Sequence, residues 1–327
     1  MAEPIRHIRP VWAPPERPLT PHALRNALLA LGTGALLMAG IASLSTFWAP
    51  TRAWWDAAEQ GSAMVAGVQA SLLAAMATAV GALPVLLVQR VSKLQEAALM
   101  SFSAGVMLAA ALFALLLPSL DAGQALLGGR TSAALLSGLG LALGMGLMLA
   151  IDHVTPHEHA VLPPAAPGHT LARTTNAAQG ARLMVLAILI HNVPEGLAVG
   201  AAYAGAGSAA GAPAGASVAL AIGLQNMPEG LIVAMALRTL GRSAAQAWGI
   251  AALTGLAEPL GAIVGLAVLG SVPAFYPLGL ALAAGAMLFV VSHEIIPETH
   301  RNGFETLATG TLLAGFVFML LLDATLN

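Results

Sequence analysis

The sequence contains no cysteine. That excludes disulfide frameworks, thiolate-ligated zinc and iron–sulfur clusters, so any metal must bind through His, carboxylate, amide or Met groups. Charge is also scarce. Asp, Glu, Lys and Arg make up 9% of the 327 residues, against about 25% in a soluble domain. The formal net charge of −2 says nothing about nucleic acid, and the sequence carries no nucleic-acid motif, so no nucleic-acid partner is expected. It has no Gly-rich phosphate loop ending in Gly-Lys-Ser/Thr, so ATP has no site from which to drive it. No motif for an organic cofactor is present either. None of the apolar runs alternates polar with apolar residues, which excludes a membrane β-barrel.

Apolar sequence fills the chain instead. It is 58% hydrophobic, with a mean hydropathy of +0.82. Residues 1–23 are polar and rich in Pro and Arg, a composition that stays disordered. A first apolar run spans 24–48, longer than the ~7–15 residues of a signal-peptide core, and reads as an uncleaved leading helix. Further runs follow at 62–88, 97–118, 131–151, 181–204, 215–237, 244–270, 274–296 and 305–325. Each is near the ~20 residues that a spanning helix needs. The expectation is an all-α, polytopic transmembrane helical bundle, with one leading helix and an eight-helix transport domain over 62–325.

Charge between the runs sets orientation. With the N-terminus in the cytoplasm, the cytoplasmic segments hold Arg90, Lys93, Arg173, Arg182, Arg238, Arg242 and Arg301, while the outer segments keep Arg52 and Arg130. The positive-inside rule then predicts N-terminus in and C-terminus out, in the plasma (inner) membrane. The 35 glycines suit helices packed closely in lipid. Gly138, Gly140, Gly144 and Gly146 form seams that could serve internal packing or a homodimer face.

Two stretches carry the chemistry: His191-Asn192-Val193-Pro194-Glu195-Gly196 and Gln225-Asn226-Met227-Pro228-Glu229-Gly230. Each lies inside a membrane-length run. Residues three and four apart share a helix face, so His191 and Asn192 align with Glu195, and Gln225 and Asn226 with Glu229. Glu258, His293 and Glu294 add further ionisable groups, and no Lys or Arg occurs at that depth to pair with them. Cations or protons must compensate the carboxylates. His, carboxylate and amide together suit Zn²⁺, and also Fe²⁺ or Mn²⁺. A carboxylate flanked on two sides can bridge two ions. One site would use His191, Glu195, Gln225 and Glu229; the other would use Asn192, Asn226 and Glu258 with the same two bridging carboxylates. The second has fewer charges and should be the weaker. Pro194 and Pro228 free the carbonyls of Ile190 and Leu224. The loop 152–180 opens Asp152-His153-Val154-Thr155-Pro156-His157-Glu158-His159 and reads as a cytoplasmic metal-collecting segment.

At these residues the chain resembles the ZIP family of divalent-metal transporters. The matching segments are HNVPEG at 191–196, QNMPEG at 225–230, EPLGA at 258–262, VVSHEIIPETHRNG at 290–303, SAGVMLAA at 103–110 and TPHEH at 155–159. The resemblance spans the eight helices after the first and is closest to bacterial members with an extra leading helix. It implies inverted repeats, helices one to three of the core against six to eight, around a central pair holding a binuclear metal centre. It places Met107, otherwise ordinary core filler, in the first site with His191, Glu195, Gln225 and Glu229. The second site it implies is Asn192, Glu195, Asn226, Glu229 and Glu258. His293, Glu294 and the loop residues His157, Glu158 and His159 would receive metal on the cytoplasmic side. Asp121 and Asp323 would attract cations at the entrance. Close relatives carry Asp where Asn226 stands, which removes a charge from the second site. The expected function is import of Zn²⁺, with Cd²⁺, Fe²⁺ and Mn²⁺ as further substrates, by alternating access in the lipid bilayer. The rivals are a metal-dependent intramembrane hydrolase, a non-transporting metal sensor and an exporter. The hydrolase lacks the His-Glu-x-x-His of a zincin helix.

Overall fold

The computed structural model describes residues 63–326 except 89–90, 155–184, 186–188, 205–210, 270–271, 273–274 and 301–302. The expected tail 1–23, the leading helix 24–48 and the loop residues His157, Glu158 and His159 lie outside the described residues. Among the described residues there is no strand. The helices are α1 (Ala63–Leu86, closing in a 3₁₀ turn), α2 (Lys93–Leu127), α3 (Arg130–Val154), α4 (residues 189–204), α5 (Gly211–Thr239), α6 (Ala244–Leu269), α7 (Phe275–His300) and α8 (Glu305–Leu326). Seven of them, all but α4, are long and apolar enough to cross a bilayer within their described residues. The protein is an all-α integral membrane protein.

Two boundaries differ from the apolar runs. The second helix was expected at 97–118 and spans Lys93–Leu127. Its start is set by a polar clasp: Gln95 N–H donates to Ser92 Oγ, and Ser92 N–H donates to Gln95 Oε1. This reciprocal cap satisfies two orphan donors before the apolar run begins. At the other end, Pro118 does not stop the helix. A π turn, Ala110–Leu116, precedes it, with Leu117 N–H bonded to Leu112 O. The wider turn shifts the hydrogen-bond register just where a proline would leave a carbonyl without its donor. α7 uses the same device: Val291–Ile295 is a π turn, Ile296 N–H bonds Val291 O, and Pro297 follows. His293 and Glu294 therefore sit inside α7 rather than at its end.

The internal symmetry is visible in the closest helix contacts. A Cβ on Gly105 of α2 would overlap the Leu312 carbonyl of α8, and one on Gly315 of α8 would overlap the Phe102 carbonyl of α2. The α7–α3 pair repeats this with Gly285 against Leu141 O and Gly144 against Leu282 O. Lipid tails are as apolar as the helices, so association rests on this close van der Waals approach. Gly315→Val should drive a side chain into the α2 backbone and cost about 1–3 kcal/mol as overpacking. The expected readout is a lower melting temperature in detergent; an unchanged one would mean that α2 and α8 do not meet this closely.

Candidate metal centre

α4 and α5 bring the two Pro-Glu-Gly stretches to the middle of the bundle. Pro228 lies inside α5, which continues on both sides of it. Each stretch is seated by its terminal glycine: a Cβ on Gly196 would overlap the Glu258 carbonyl of α6, and one on Gly230 the Thr78 carbonyl of α1. A side chain at either position would push α4 or α5 away and carry its glutamate with it.

The polar groups expected from sequence meet here. One ligand atom each from His191, Glu195 and Glu229 lies within 4.8 Å of the others. Gln225 Nε2 donates to Glu195 Oε1 at 2.6 Å. Asn226 Nδ2 donates to Glu258 Oε1 at 2.7 Å and to Ala74 O at 3.2 Å. Asn192 Nδ2 donates to Thr254 O at 2.9 Å. Thr254 O is free to accept because α6 breaks there. Glu258 N–H turns to Gly255 O at 3.1 Å, and Glu258 then opens the second half of the helix, Ala257–Leu269. Glu195, Gln225, Asn226 and Glu258 are almost fully buried, as is Met107 at 1% exposure.

The remaining valences point to a cation. His191 Nε2, Glu195 Oε2, Gln225 Oε1, Asn226 Oδ1 and Glu258 Oε2 are buried without a hydrogen-bond partner. Leaving one such group unpaired costs about 1–3 kcal/mol, more if charged, and five cluster here. The ion pairs of the described residues bring no Lys or Arg to Glu195, Glu229 or Glu258. Buried carboxylates, imidazole and amide oxygens with no basic partner form a cation-binding set.

Toward the cytoplasmic ends predicted by charge, the π turn of α7 aims its two ionisable residues in different directions. Glu294 Oε2 lies 3.7 Å from His191 Nδ1, and His293 Nε2 lies 3.7 Å from Asp152 Oδ2 on α3. His293 also stacks on Phe289 at 4.7 Å between centroids. Glu294 is thus contiguous with the central cluster. Asp121 is exposed on α2 and Asp323 half-buried on α8. At the ~1.5 Å rise per residue of a helix, Asp121 is about 20 Å along α2 from Met107, so Asp121 does not join the centre.

Sequence reasoning missed Ser103. Its hydroxyl donates to Glu229 Oε1 at 2.7 Å and approaches Gln225 O at 3.4 Å. It stands one turn before Met107 on α2, in the same small-residue segment, and that i,i+4 spacing is the signal that would have found it. The backbone acceptors Ala74 O and Thr254 O had no sequence signal.

Comparison with known proteins bears on this arrangement. A family model described as ZIP Zinc transporter matches residues 154–323. The chain is 44% identical to Zinc transporter ZIPB of Bordetella bronchiseptica over 77% of its length and 78% of that protein. It is 45% identical to Zinc transporter GufA of Myxococcus xanthus over 81% of its length and 100% of that protein. Zinc transporter ZIP11 of Homo sapiens matches at 44% identity over 44% of this chain and 43% of the human protein.

Proposed function

The chain belongs to the ZIP family of zinc transporters, and on that premise we propose that it carries Zn²⁺ across the inner membrane toward the cytoplasm through a midplane binuclear centre. The observation that carries this reading is the convergence of His191, Glu195 and Glu229 within 4.8 Å, with unpartnered buried oxygens around them. One ion would be held by Met107, His191, Glu195, Gln225 and Glu229. A second would be held by Asn192, Glu195, Asn226, Glu229 and Glu258, with both carboxylates bridging. In this reading Gln225 turns its free Oε1 to the first ion and Ser103 releases or shares Glu229.

Two further features support transport over a fixed catalytic or sensory site. The His191–Glu294 approach and the His293–Asp152 approach extend the polar path from the centre toward the predicted cytoplasmic face, which the loop residues His157, Glu158 and His159 would continue. Asp121 and Asp323 would gather cations on the other face. The bundle also divides by packing. α1 packs chiefly on α5 and α6, while α2 packs on α8 and α3 on α7; α4 seats on α6 through Gly196 and Gly261. Alternating access would move the first group, which holds the two motifs and Glu258, against the second. Cd²⁺, Fe²⁺ and Mn²⁺ would be further substrates, and no organic cofactor takes part.

The test is zinc uptake into liposomes carrying the purified protein. Time-dependent uptake above protein-free liposomes is the expected result. Tight zinc binding with no uptake would replace this reading with a sensor.

A further inference from the structure

The two central helices and their partners are arranged about a local twofold. Asn192 Nδ2 bonds Thr254 O of α6, and Asn226 Nδ2 bonds Ala74 O of α1. Gly196 closes on Glu258 O, and Gly230 closes on Thr78 O. Gly261 of α6 meets Val193 O, and Gly81 of α1 meets Met227 O. These three contacts of α4 with α6 thus each have a counterpart between α5 and α1, in the same order. Glu195 and Glu229 exchange with each other, and so do Asn192 and Asn226. Under that exchange Glu258, four residues after Thr254, corresponds to Thr78, four residues after Ala74.

Thr78 has its own sign of a missing partner. It is 3% exposed, and its Oγ1 is buried without a hydrogen bond. A helical Thr or Ser usually spends its hydroxyl on a carbonyl of the preceding turn. Ser71, Thr254, Thr299 and Thr311 in this protein do so. Thr78 instead turns its hydroxyl toward α6, where Oγ1 lies 3.3 Å from the position of a Cβ on Gly255, one turn before Glu258. At the same three-helix junction Asn226 Oδ1 and Glu258 Oε2 are also buried and unpaired.

We propose that Thr78 Oγ1 is a further ligand of the second divalent ion, opposite Glu258. This rests on the binuclear reading above and goes beyond it, because the second site then becomes an all-oxygen shell of six residues drawn from four helices. A neutral hydroxyl is a competent ligand, as the Ser or Thr that holds Mg²⁺ in phosphate-loop enzymes illustrates. A hydroxyl in place of a second outer carboxylate keeps the shell low in charge, which suits an ion that must leave again.

The test is Zn²⁺ titration of the purified full-length protein by calorimetry, with bound zinc counted by elemental analysis. Wild type is compared with Thr78→Val, Thr78→Ser and Thr78→Ala. Valine keeps the shape and removes the oxygen; serine keeps the oxygen; alanine cannot overfill the junction if valine fails to fold. Expected are two ions in wild type and Thr78→Ser. In Thr78→Val and Thr78→Ala the second ion should bind about tenfold more weakly, in line with the loss of a supporting metal contact, with the first little changed. Two ions at wild-type affinity in Thr78→Val or Thr78→Ala would overturn the Thr78 assignment and leave the binuclear reading standing. Equal weakening in all three variants would make the position a packing site and likewise overturn it. A single ion in wild type would remove the binuclear reading itself, and the Thr78 ligand with it.

Discussion

Zinc affinity of the Glu229→Ala variant is expected to fall by at least about 100-fold, because removing one member of a buried charged set costs about 3–5 kcal/mol and each 1.4 kcal/mol is tenfold in affinity. Glu229 stands between the α4 ligand groups and α2. Its carboxylate lies within reach of the His191 and Glu195 ligand atoms, and Ser103 on α2 donates to it at 2.7 Å. Both proposed sites use it, so its loss removes an anion from each. The remaining groups cannot compensate. Gln225 is neutral, Glu195 already accepts from Gln225, and Glu294 pairs with His191 at 3.7 Å. Glu229→Gln keeps the shape and one oxygen and removes the charge. If charge is what holds the ion, Gln should lose most of the affinity too, and zinc uptake into liposomes should stop in both variants. Wild-type affinity in Glu229→Ala would show that the ion is held elsewhere, and the central assignment would fail.

How much of this was open to sequence differs from element to element. The helices among the described residues were legible because a membrane-spanning run has few alternatives. The centre was legible because polar residues inside such runs are rare, and the two Pro-Glu-Gly stretches repeat their offsets. What escaped depends on contacts between distant residues. Pro118 looked like the end of the second helix; the π turn of Ala110–Leu116 carries the chain past it. Periodicity of 3.6 does not report an i→i+5 turn, so the divergence of Glu294 toward His191 and of His293 toward Asp152 in the matching turn of α7 was also hidden. Ala74 O and Thr254 O are backbone acceptors with no residue-type signature. Ser103 and Thr78 are ordinary helix residues in lipid by composition. Only the close approach of α2 to α5 gives the Ser103 hydroxyl its partner, and only that of α1 to α5 and α6 leads to the role proposed for Thr78.

Asn226→Asp is the variant in which the sequence argument and the structure act together. By charge alone, an added carboxylate should favour the second ion, and zinc per protein should rise toward two at lower free zinc. The geometry adds a cost in the metal-free state. Asn226 Nδ2 donates to both Glu258 Oε1 and Ala74 O. An aspartate there cannot donate when ionised, so it would set one carboxylate against another at the 2.7 Å now spanned by a hydrogen bond, and against the Ala74 carbonyl as well. Like charges that close cannot both remain ionised without a cation or a proton between them. The metal-free variant should therefore melt below the metal-free wild type. A ligand that binds only the folded state stabilises it by about 2.7 kcal/mol at 100 times its dissociation constant, so zinc should raise the variant's melting temperature more than wild type's. Elemental analysis gives the stoichiometry and thermal unfolding with and without zinc gives the gap. Unchanged zinc per protein at sub-saturating free zinc would refute the charge argument. A second ion bound at lower free zinc with no loss of metal-free stability would instead mean that Asn226 and Glu258 do not face each other as seen here. On the binuclear reading, the asparagine would hold the second site together when it carries no ion and weaken that site's hold on the ion it takes.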